Sequence, residues 1–238
     1  MTAHVLGLDI GTTAVKAIAL DEFGRAVATA SVAHDGFTPH PGWAEGDPER
    51  WWANAVEAVR RLGAETALEG VGMVGVSGMV PALICLDETG RVLRPSIQQN
   101  DARTADEVVT LRASLYAYDF LAATGQPISQ QLVLPRLLWL RRHEPDLYRR
   151  IDRILGSYDL VTHRLTGAWS LERNWALESG FWDGRRHDWY APAFATVGTP
   201  EAWLPPVRAA HEVVGGVTPA AGPGTGLPAG GAVVRGGR

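Results

Sequence analysis

Three short apolar runs separated by turns open the chain. The first covers residues 5–10 and is interrupted by Asp9, and the second covers residues 15–20 and is interrupted by Lys16. Residues 25–32 form the third run, in which small apolar residues alternate in part with polar ones. Each connecting turn contains a glycine, which is typical of strands joined by tight turns. The pattern predicts an antiparallel meander of three strands.

A helix is predicted after the meander. Asp47 is a suitable N-cap residue, and Pro48 suits the first helical position. The apolar residues that follow recur at helical spacing, at Trp52, Ala55, Val56, Val59 and Leu62. Two further apolar runs, at residues 71–76 and 82–86, predict buried strands.

Helical patterns dominate from Asn100 onwards. We predict helices over residues 102–115, 132–142 and 158–165, the second beginning near Val133 so that Pro135 lies in its first turn. Residues 218–230 are rich in glycine, proline and alanine and carry no charge, which predicts a loop. A meander followed by alternating strands and helices predicts an α/β fold with a mixed sheet flanked by helices.

Composition and charge restrict the partners and the cellular environment. The 238 residues are 46% hydrophobic and carry a net charge of −4, so no basic surface for nucleic acid or anionic membranes is expected. The single cysteine, Cys85, lies in an apolar run and predicts a buried, unreactive thiol in a reducing compartment. We find neither a signal sequence nor an apolar stretch of membrane-spanning length, so the expected location is the cytoplasm.

The turn between the first two strands carries the strongest chemical signal. Gly11 lets the backbone approach a phosphate, and Thr12 and Thr13 add two hydroxyl donors. Asp9, at the end of the first strand, can hold hydrated Mg²⁺, which prefers one or two carboxylates together with waters and phosphate oxygens. Lys16, the only lysine of the chain, can add positive charge. The alternative is an aspartate-capped hairpin turn without a ligand, and the P-loop pattern G-x-x-x-x-G-K-[ST] is absent.

Six segments, in chain order, resemble motifs of the FGGY family of carbohydrate kinases. The turn is similar to the family pattern D-x-G-T-[ST]-x-x-[KR], and residues 41–52 are similar to its segment GW-x-E-x-DP-E-x-WW. The other matches are to W-N-D-x-R, PKLLWL-x-x-x-EP, LTG and the lead-in to PVVAGGGD, at residues 100–103, 135–145, 165–167 and 226–237. Each motif alone is weak evidence, whereas the ordered set is specific.

The resemblance implies a fold and an activity. FGGY kinases have ribonuclease-H-like domains of the actin, Hsp70 and sugar-kinase superfamily, and they transfer the γ-phosphoryl group of ATP to a hydroxyl of a sugar or polyol. By resemblance, Asp9 would hold Mg²⁺ through water, and Gly11, Thr12, Thr13 and Lys16 would bind the phosphates. The residues expected to contact the sugar are Met79, Val80, Asn100, Asp101, Arg103 and Gln131.

Some of these positions also have purely structural interpretations. Asp101 can instead N-cap the helix that follows it. Trp51 and Trp52 are expected to pack on their helix rather than stack on sugar, and Arg136 and Trp139 to fix their helix rather than touch a ligand. The histidines show no metal-ligand spacing and are expected to be surface or loop residues; they are His4, His34, His40, His143, His163, His187 and His211.

Departures from the family pattern leave the sugar and the role of the chain open. The overall resemblance is to xylulose kinases, so the acceptor is expected to be a pentulose or a related sugar. Met79, Val80, Pro81 and Ala82 stand where xylulose kinases carry Gln-Met-His-Gly, which leaves the identity of the sugar open. The general-base aspartate of the family is expected just beyond Arg238. Residues 1–238 would thus form an N-terminal domain that lacks the second domain with its adenosine pocket, and would be inactive alone. A non-catalytic sugar-binding or regulatory module, a non-functional truncated product and a homodimeric assembly also remain open.

Overall fold

The computed structural model describes residues 3–236, so Gly237, Arg238 and the expected position of the general base lie outside it. The strands are Val5–Ile10 (β1), Ala14–Leu20 (β2), Ala26–Ala33 (β3), Glu45–Gly46 (β4), Met73–Gly78 (β5), Ile84–Leu86 (β6), Ser96–Ile97 (β7), Arg153–Leu155 (β8), Leu171–Glu172 (β9), Trp182–Asp183 (β10), Asp188–Trp189 (β11), Val207–Arg208 (β12), Gly215–Gly216 (β13) and Ala232–Arg235 (β14). The helices are Pro48–Glu65 (α1), Ala105–Ser114 (α2), Phe120–Thr124 (α3), Val133–His143 (α4), Pro145–Tyr148 (α5), Ser157–Thr166 (α6), Arg173–Ser179 (α7), Ala191–Val197 (α8) and Gly222–Thr225 (α9). Within the described range, no helix combines the length and the apolar surface that spanning a membrane demands.

The main sheet is built around β1. Across residues 3–236 its strand order is β13-β14-β5-β1-β2-β3. Strands β1, β2 and β3 are antiparallel neighbours, so the predicted meander is confirmed, and β5 and β14 extend the sheet parallel to β1. The register places Asp9 of β1 between Lys16 of β2 and Ser77 of β5. The C-terminal ends of β1, β5 and β14 therefore lie side by side, at the edge where α/β sheets commonly bind ligands.

Helix α1 covers part of one face of this sheet. The carboxylate of Asp47 accepts a hydrogen bond from Glu49 N (2.9 Å), and Pro48 lies in the first turn, as predicted. Trp51 is only 2% exposed, and Trp52 is partly buried against the core, so both tryptophans pack as predicted. Besides Trp51, the buried side of the helix that faces β2 and β3 includes Ala55, Ala58, Val59 and Leu62.

Helix α6 covers the rest of the same face, against β5 and β14. Because successive side chains of a strand point to opposite faces of the sheet, the alternate residues emerge on the uncovered face. There Asp9, Lys16, Ser31 and Ser77 line an open cavity of about 620 Å³. One face of the sheet is thus packed, and the other carries polar groups close to the strand ends.

Three predicted elements are corrected. The helix predicted over residues 102–115 begins only at Ala105, because the Asp101 carboxylate holds Arg103 N in a preceding turn (2.9 Å). The strand predicted over residues 82–86 begins at Ile84 and pairs with β8, outside the main sheet. The segment predicted as a loop over residues 218–230 contains helix α9, which packs on α1 and whose Gly224 O accepts a hydrogen bond from Arg60 Nε (3.1 Å).

Cys85 is confirmed as a buried thiol. It lies in β6 and is 1% exposed. Burial raises the pKa of the thiol to about 12, so the reactive thiolate is not populated at neutral pH.

Gly78 allows β5 to approach β1 and α6, and we expect Gly78→Ala to destabilise the fold. An added Cβ would lie 2.9 Å from both Ile10 Cβ and Ile10 O and 3.0 Å from Ser157 Oγ. Overpacking of this kind costs about 1–3 kcal/mol, which urea denaturation followed by tryptophan fluorescence measures. Gly72→Ala is the matched control, because no atom lies within 4 Å of the added Cβ. Equal losses in the two variants would contradict the steric argument.

Candidate active site

The turn between β1 and β2 presents exposed backbone and hydroxyl groups at the centre of the sheet edge. Gly11 N donates to Ala14 O (3.0 Å) and closes the turn. A Cβ at position 11 would approach Ala14 O to 2.9 Å, so only glycine fits this close approach without a shift. Thr12 and Thr13 are both exposed. The predicted phosphate turn is therefore formed as an open, glycine-dependent turn whose polar groups are accessible.

Asp9 lies beside this turn. Its side chain is exposed, and a Cβ at Gly11 would lie 3.8 Å from Asp9 Oδ2, which puts the carboxylate next to the turn. Lys16 of β2 is the cross-strand neighbour of Asp9, and both residues line the 620 Å³ cavity. Within residues 3–236 no group of three or more His, Cys, Asp or Glu side chains converges to enclose a metal ion. A single carboxylate beside a phosphate turn fits a hydrated Mg²⁺ that also takes phosphate oxygens as ligands.

The phosphate turn and the segment around Asn100 share one cavity. This cavity of about 480 Å³ is lined by Thr12 and Thr13 on one side and by Gln98, Gln99 and Asn100 on the other. The sequence separates these two groups by more than eighty residues. The fold thus joins a predicted phosphate-binding element to a predicted substrate-binding residue.

A second, larger cavity continues from Asn100 away from the turn. It measures about 800 Å³ and is lined by Asn100, Asp101 and Gln131, three of the residues predicted to contact substrate. Further amides come from neighbouring positions of the lining: Gln99, Gln126 and Gln130. Amide groups both donate and accept hydrogen bonds, as the hydroxyl groups of a polyol do.

Comparison with known proteins decides the family. The model of the N-terminal domain of the FGGY family of carbohydrate kinases matches residues 4–238. The chain belongs to this family. The ribonuclease-H-like fold inferred from the motifs is confirmed by the xylulose kinase of Rhodospirillum rubrum, which is 44% identical with a TM-score of 0.95, over 98% of this chain and 48% of that one.

Other relatives show how much of a family protein the chain represents. The xylulose kinase of Escherichia coli K12 is 33% identical over 90% of this chain and 44% of its own length. The glycerol kinase of Nocardia farcinica is 31% identical over 95% of this chain and 46% of its own length. The chain therefore spans about half the length of the relatives that it matches.

Arg103 and Asp101 form a buried ion pair in this FGGY domain. Arg103 Nη2 lies 2.7 Å from Asp101 Oδ2 and 2.8 Å from Glu45 Oε1, and its guanidinium stacks 3.6 Å above the Trp43 ring. The Arg103 side chain is 1% exposed, and its Nη1 has no hydrogen-bond partner within the described part of the chain. Arg103 lines none of the three cavities, so its predicted contact with substrate stays a prediction.

The Asp101 carboxylate has a structural role that differs from the predicted alternative. It accepts hydrogen bonds from Ala44 N (2.6 Å) and from Arg103 N and Nε. The N-cap residue of α2 is Thr104, so the N-cap interpretation of Asp101 is wrong. Burial raises the pKa of Asp101, and the hydrogen bonds from Arg103 and Ala44 lower it by more, so the carboxyl stays ionised well below neutral pH.

Arg136 connects three segments of the predicted substrate site. Its guanidinium is fully buried and donates to Pro81 O (2.8 Å), Ile97 O (3.3 Å) and Gln131 O (2.5 Å). These carbonyls belong to the loop after β5, to the strand before Asn100 and to the residue that precedes α4 by two positions. Arg136 thus fixes these loops rather than its own helix. Burial lowers the pKa of Arg136 to about 9, which still leaves it charged at neutral pH.

Met79 and Val80 follow β5 directly. Met79 N donates to Ile10 O (2.9 Å), and Met79 O accepts from Ser157 Oγ (2.8 Å), so the backbone of this loop is held against β1 and α6. Met79 is 8% exposed, and neither residue lines the three cavities described above. Their predicted contact with substrate stays a prediction.

His34 lies in the loop directly after β3, as predicted, but it is 5% exposed and lines the 480 Å³ cavity beside Thr12 and Thr13, which was not predicted. His163 departs from the prediction, because it lies inside α6, is half-buried and stacks on Trp169. A usable signal for His34 was present: in an antiparallel meander, the residue after the third strand lies beside the turn between the first two.

Proposed function

We propose that this domain provides the phosphate-binding and sugar-binding half of the active site of an ATP-dependent sugar kinase. The observation that carries the proposal is the single cavity shared by Thr12, Thr13 and Asn100. A phosphoryl group held at the turn and a hydroxyl held near Asn100 would be brought together there. Phosphoryl transfer requires little more of a protein than this positioning and the neutralisation of charge.

The residues of the turn have distinct roles in this proposal. Thr12 and Thr13 bind phosphate oxygens through backbone N–H and hydroxyl groups, and Gly11, whose own N–H closes the turn on Ala14 O, lets the phosphate approach the backbone. Asp9 orients the water shell of Mg²⁺, and Lys16 adds positive charge next to it. ATP supplies the γ-phosphoryl group, and Mg²⁺ when bound neutralises charge on the phosphate oxygens.

The acceptor is proposed to be a pentulose or a related neutral sugar. Asn100 and Gln131 supply amides that match sugar hydroxyls, while Asp101 and Arg103 hold the loop that carries Asn100. Met79 and Val80, in the loop after β5, are proposed to contact the sugar when it is bound. Their identity departs from the Gln-Met of xylulose kinases, so the proposal names the class of sugar and leaves its identity to experiment.

The second half of a family-length protein is proposed as the necessary partner. It would supply the proton acceptor expected beyond Arg238 and the adenosine pocket, in a cytoplasmic enzyme. We therefore propose that residues 1–238 alone do not catalyse phosphoryl transfer from ATP to a sugar.

Sugar-stimulated ADP release tests the proposal. Residues 1–238, and a fusion of this chain to the second half of the Rhodospirillum rubrum relative, are incubated with Mg-ATP and a panel of pentuloses, polyols and sugar acids. We expect stimulation by a neutral sugar in the fusion and no turnover by residues 1–238. A folded fusion that responds to no neutral sugar would refute the kinase proposal, and turnover by residues 1–238 would refute the proposed inactivity.

Thr13→Val in the fusion is expected to lower kcat/KM for ATP about tenfold, because one hydrogen bond to a charged phosphate oxygen is lost. Steady-state kinetics at saturating sugar measure this effect. Thr196→Val in α8 is the control, since this threonine donates to Pro192 O on a distant helix. Equal kinetics in wild type and Thr13→Val would remove Thr13 from the phosphate site.

A sugar-binding module without catalysis is the second candidate, because the amide-lined 800 Å³ cavity is built from residues of this chain. Calorimetric titration of residues 1–238 with the same sugars measures binding without turnover and so distinguishes the sugar-binding module from the kinase domain. Binding by residues 1–238 together with an inactive fusion would favour the module. The nucleotides that follow the codon for Arg238 show whether a Gly-x-Asp continuation is encoded.

A further inference from the structure

His34 contacts the phosphate turn through both its backbone and its side chain. His34 N donates to Thr13 O (2.9 Å), and the imidazole Nε2 lies 3.1 Å from Gly11 O. The residue directly follows β3 and is 5% exposed. Two carbonyl groups of one exposed turn are therefore held by a single buried residue.

The partners of the imidazole define its tautomer. Gly11 O can only accept, so Nε2 must carry the proton of this hydrogen bond. Asn54 Nδ2 lies 3.2 Å from His34 Nδ1 and 3.3 Å from Ala33 O. Because Ala33 O also can only accept, this Asn54 atom is the amide nitrogen, and His34 Nδ1 accepts its proton. Burial lowers the pKa of His34 against the raising effect of Gly11, so the ring is neutral at neutral pH.

The contact to Gly11 O sets the direction of a donor on the other side of the turn. Gly11 C=O and Thr12 N–H belong to one planar trans peptide, so they point in opposite directions. A carbonyl held towards His34 therefore holds Thr12 N–H away from His34. A rotation of this peptide would turn the carbonyl outwards and present an acceptor where a phosphate needs a donor.

We propose that His34 is a positioning residue that locks the Gly11–Thr12 peptide so that Thr12 N–H faces a bound phosphoryl group. This inference rests on the proposed phosphate-binding role of the turn. The hydrogen bond from the neutral Nε2–H imidazole of His34 to Gly11 O does not depend on whether the turn binds phosphate.

The histidine tautomer is the first test. A long-range ¹H–¹⁵N NMR spectrum of residues 1–238 at pH 7.5 should show His34 as the neutral Nε2–H form. His163 is an internal control with the opposite expectation, because its Nδ1 lies 3.2 Å from Ala168 O and must donate there. A charged His34, or one protonated at Nδ1, would overturn the proposal even if every variant failed to fold.

Two substitutions test what the hydrogen bond from His34 to Gly11 O, here called the lock, does to the turn. His34→Leu removes the donor, and His34→Gln retains one at the position of Nε2. We expect amide hydrogen exchange at Gly11, whose N–H closes the turn on Ala14 O, to become about tenfold faster in His34→Leu and to recover in His34→Gln, as for one net hydrogen bond. In the fusion to the second half of the Rhodospirillum rubrum relative, the affinity for Mg-ATP and inorganic phosphate should fall by about the same factor in the leucine variant alone. His163→Leu should change neither quantity.

The outcomes separate this inference from the proposed function. If wild type binds Mg-ATP and His34→Leu alters neither exchange nor affinity, the lock is refuted and the phosphate turn stands. Faster exchange with unchanged affinity refutes the proposed orientation of Thr12 N–H. If wild type and all variants bind neither probe while exchange still responds to His34→Leu, the lock stands and the phosphate-binding role fails.

Discussion

Glu45→Gln is expected to lower the free energy of unfolding by about 1.5–3 kcal/mol, because it removes one of the two carboxylates that each of two buried guanidinium groups contacts. Glu45 Oε1 lies 2.6 Å from Arg94 Nη2 and 2.8 Å from Arg103 Nη2, and the carboxylate side chain is 6% exposed. The amide keeps the shape of the side chain and removes its charge. Urea denaturation at pH 7.5, followed by tryptophan fluorescence, measures the loss.

The matched control for this prediction is Glu57→Gln. Glu57 forms an ion pair of similar length with Arg61 (2.8 Å), but its side chain is 45% exposed. Exposed pairs of this kind contribute about 0–1 kcal/mol, so a small effect is expected. A loss in Glu45→Gln no larger than that of the control would contradict the burial argument.

The same substitution changes the surroundings of the candidate sugar site. Arg103 is held between Glu45 and Asp101, and Asp101 lies next to Asn100 in the wall of the 800 Å³ cavity. Without the charge of Glu45, Arg103 is held by Asp101 alone among the carboxylates of residues 3–236.

Arg235→Met is expected to destabilise the fold increasingly as the pH rises. Arg235 Nη1 lies 2.6 Å from Asp159 Oδ1, and both side chains are fully buried. Asp159 also accepts hydrogen bonds from Gly156 N (3.2 Å) and Glu172 N (3.0 Å) at the start of α6. This network joins the end of β14 to helix α6. Loss of Arg235 leaves the buried carboxyl of Asp159 without its cation.

The direction of the pH effect follows from the proton affinity of Asp159. Burial raises the pKa of Asp159 to about 6, against the opposing effect of Arg235. Because the folded chain then binds this proton more tightly than the unfolded chain, wild-type stability falls as pH rises from the unfolded pKa towards 6. Removal of Arg235 raises the pKa of Asp159 further, so the decline in the variant continues above pH 6.

Unfolding at pH 5.5 and pH 8 measures this difference. Relative to wild type, Arg235→Met should lose up to about 1.4 kcal/mol of stability for each pH unit above pH 6. Arg61→Met removes the cation of an exposed pair and should show a small, pH-independent effect. A deficit that is constant or larger at pH 5.5 would show that Asp159 is not the group responsible.

The elements that were predictable depend on local chemistry. The meander of β1, β2 and β3 follows from apolar runs of strand length and from glycines in the turns. The start of α1 follows from the cap at Asp47 and from Pro48, whose partners lie within two residues. The turn of the candidate phosphate site was also predictable, because Gly11, Thr12 and Thr13 are adjacent in the chain.

The start of α2 shows where local reasoning fails. The apolar and polar pattern from Ala102 onwards is compatible with helix. The Asp101 carboxylate instead binds Arg103 and Ala44 N, the latter 57 residues away in sequence, and delays the helix to Ala105. A distant hydrogen bond of this kind leaves no trace in periodicity.

By itself, then, the sequence determined the strand meander, the first helix, the glycine-threonine turn and the family. Only the tertiary structure decided that Arg136 holds three segments around the candidate site, that Glu45 joins Arg94 to Arg103, and that His34 is buried against Gly11 O. The physical reason is that a buried polar group must find a hydrogen-bond partner wherever the fold supplies one. Those partners lie 23–58 residues away or on other elements, so their identity depends on the packing of the whole sheet and its helices.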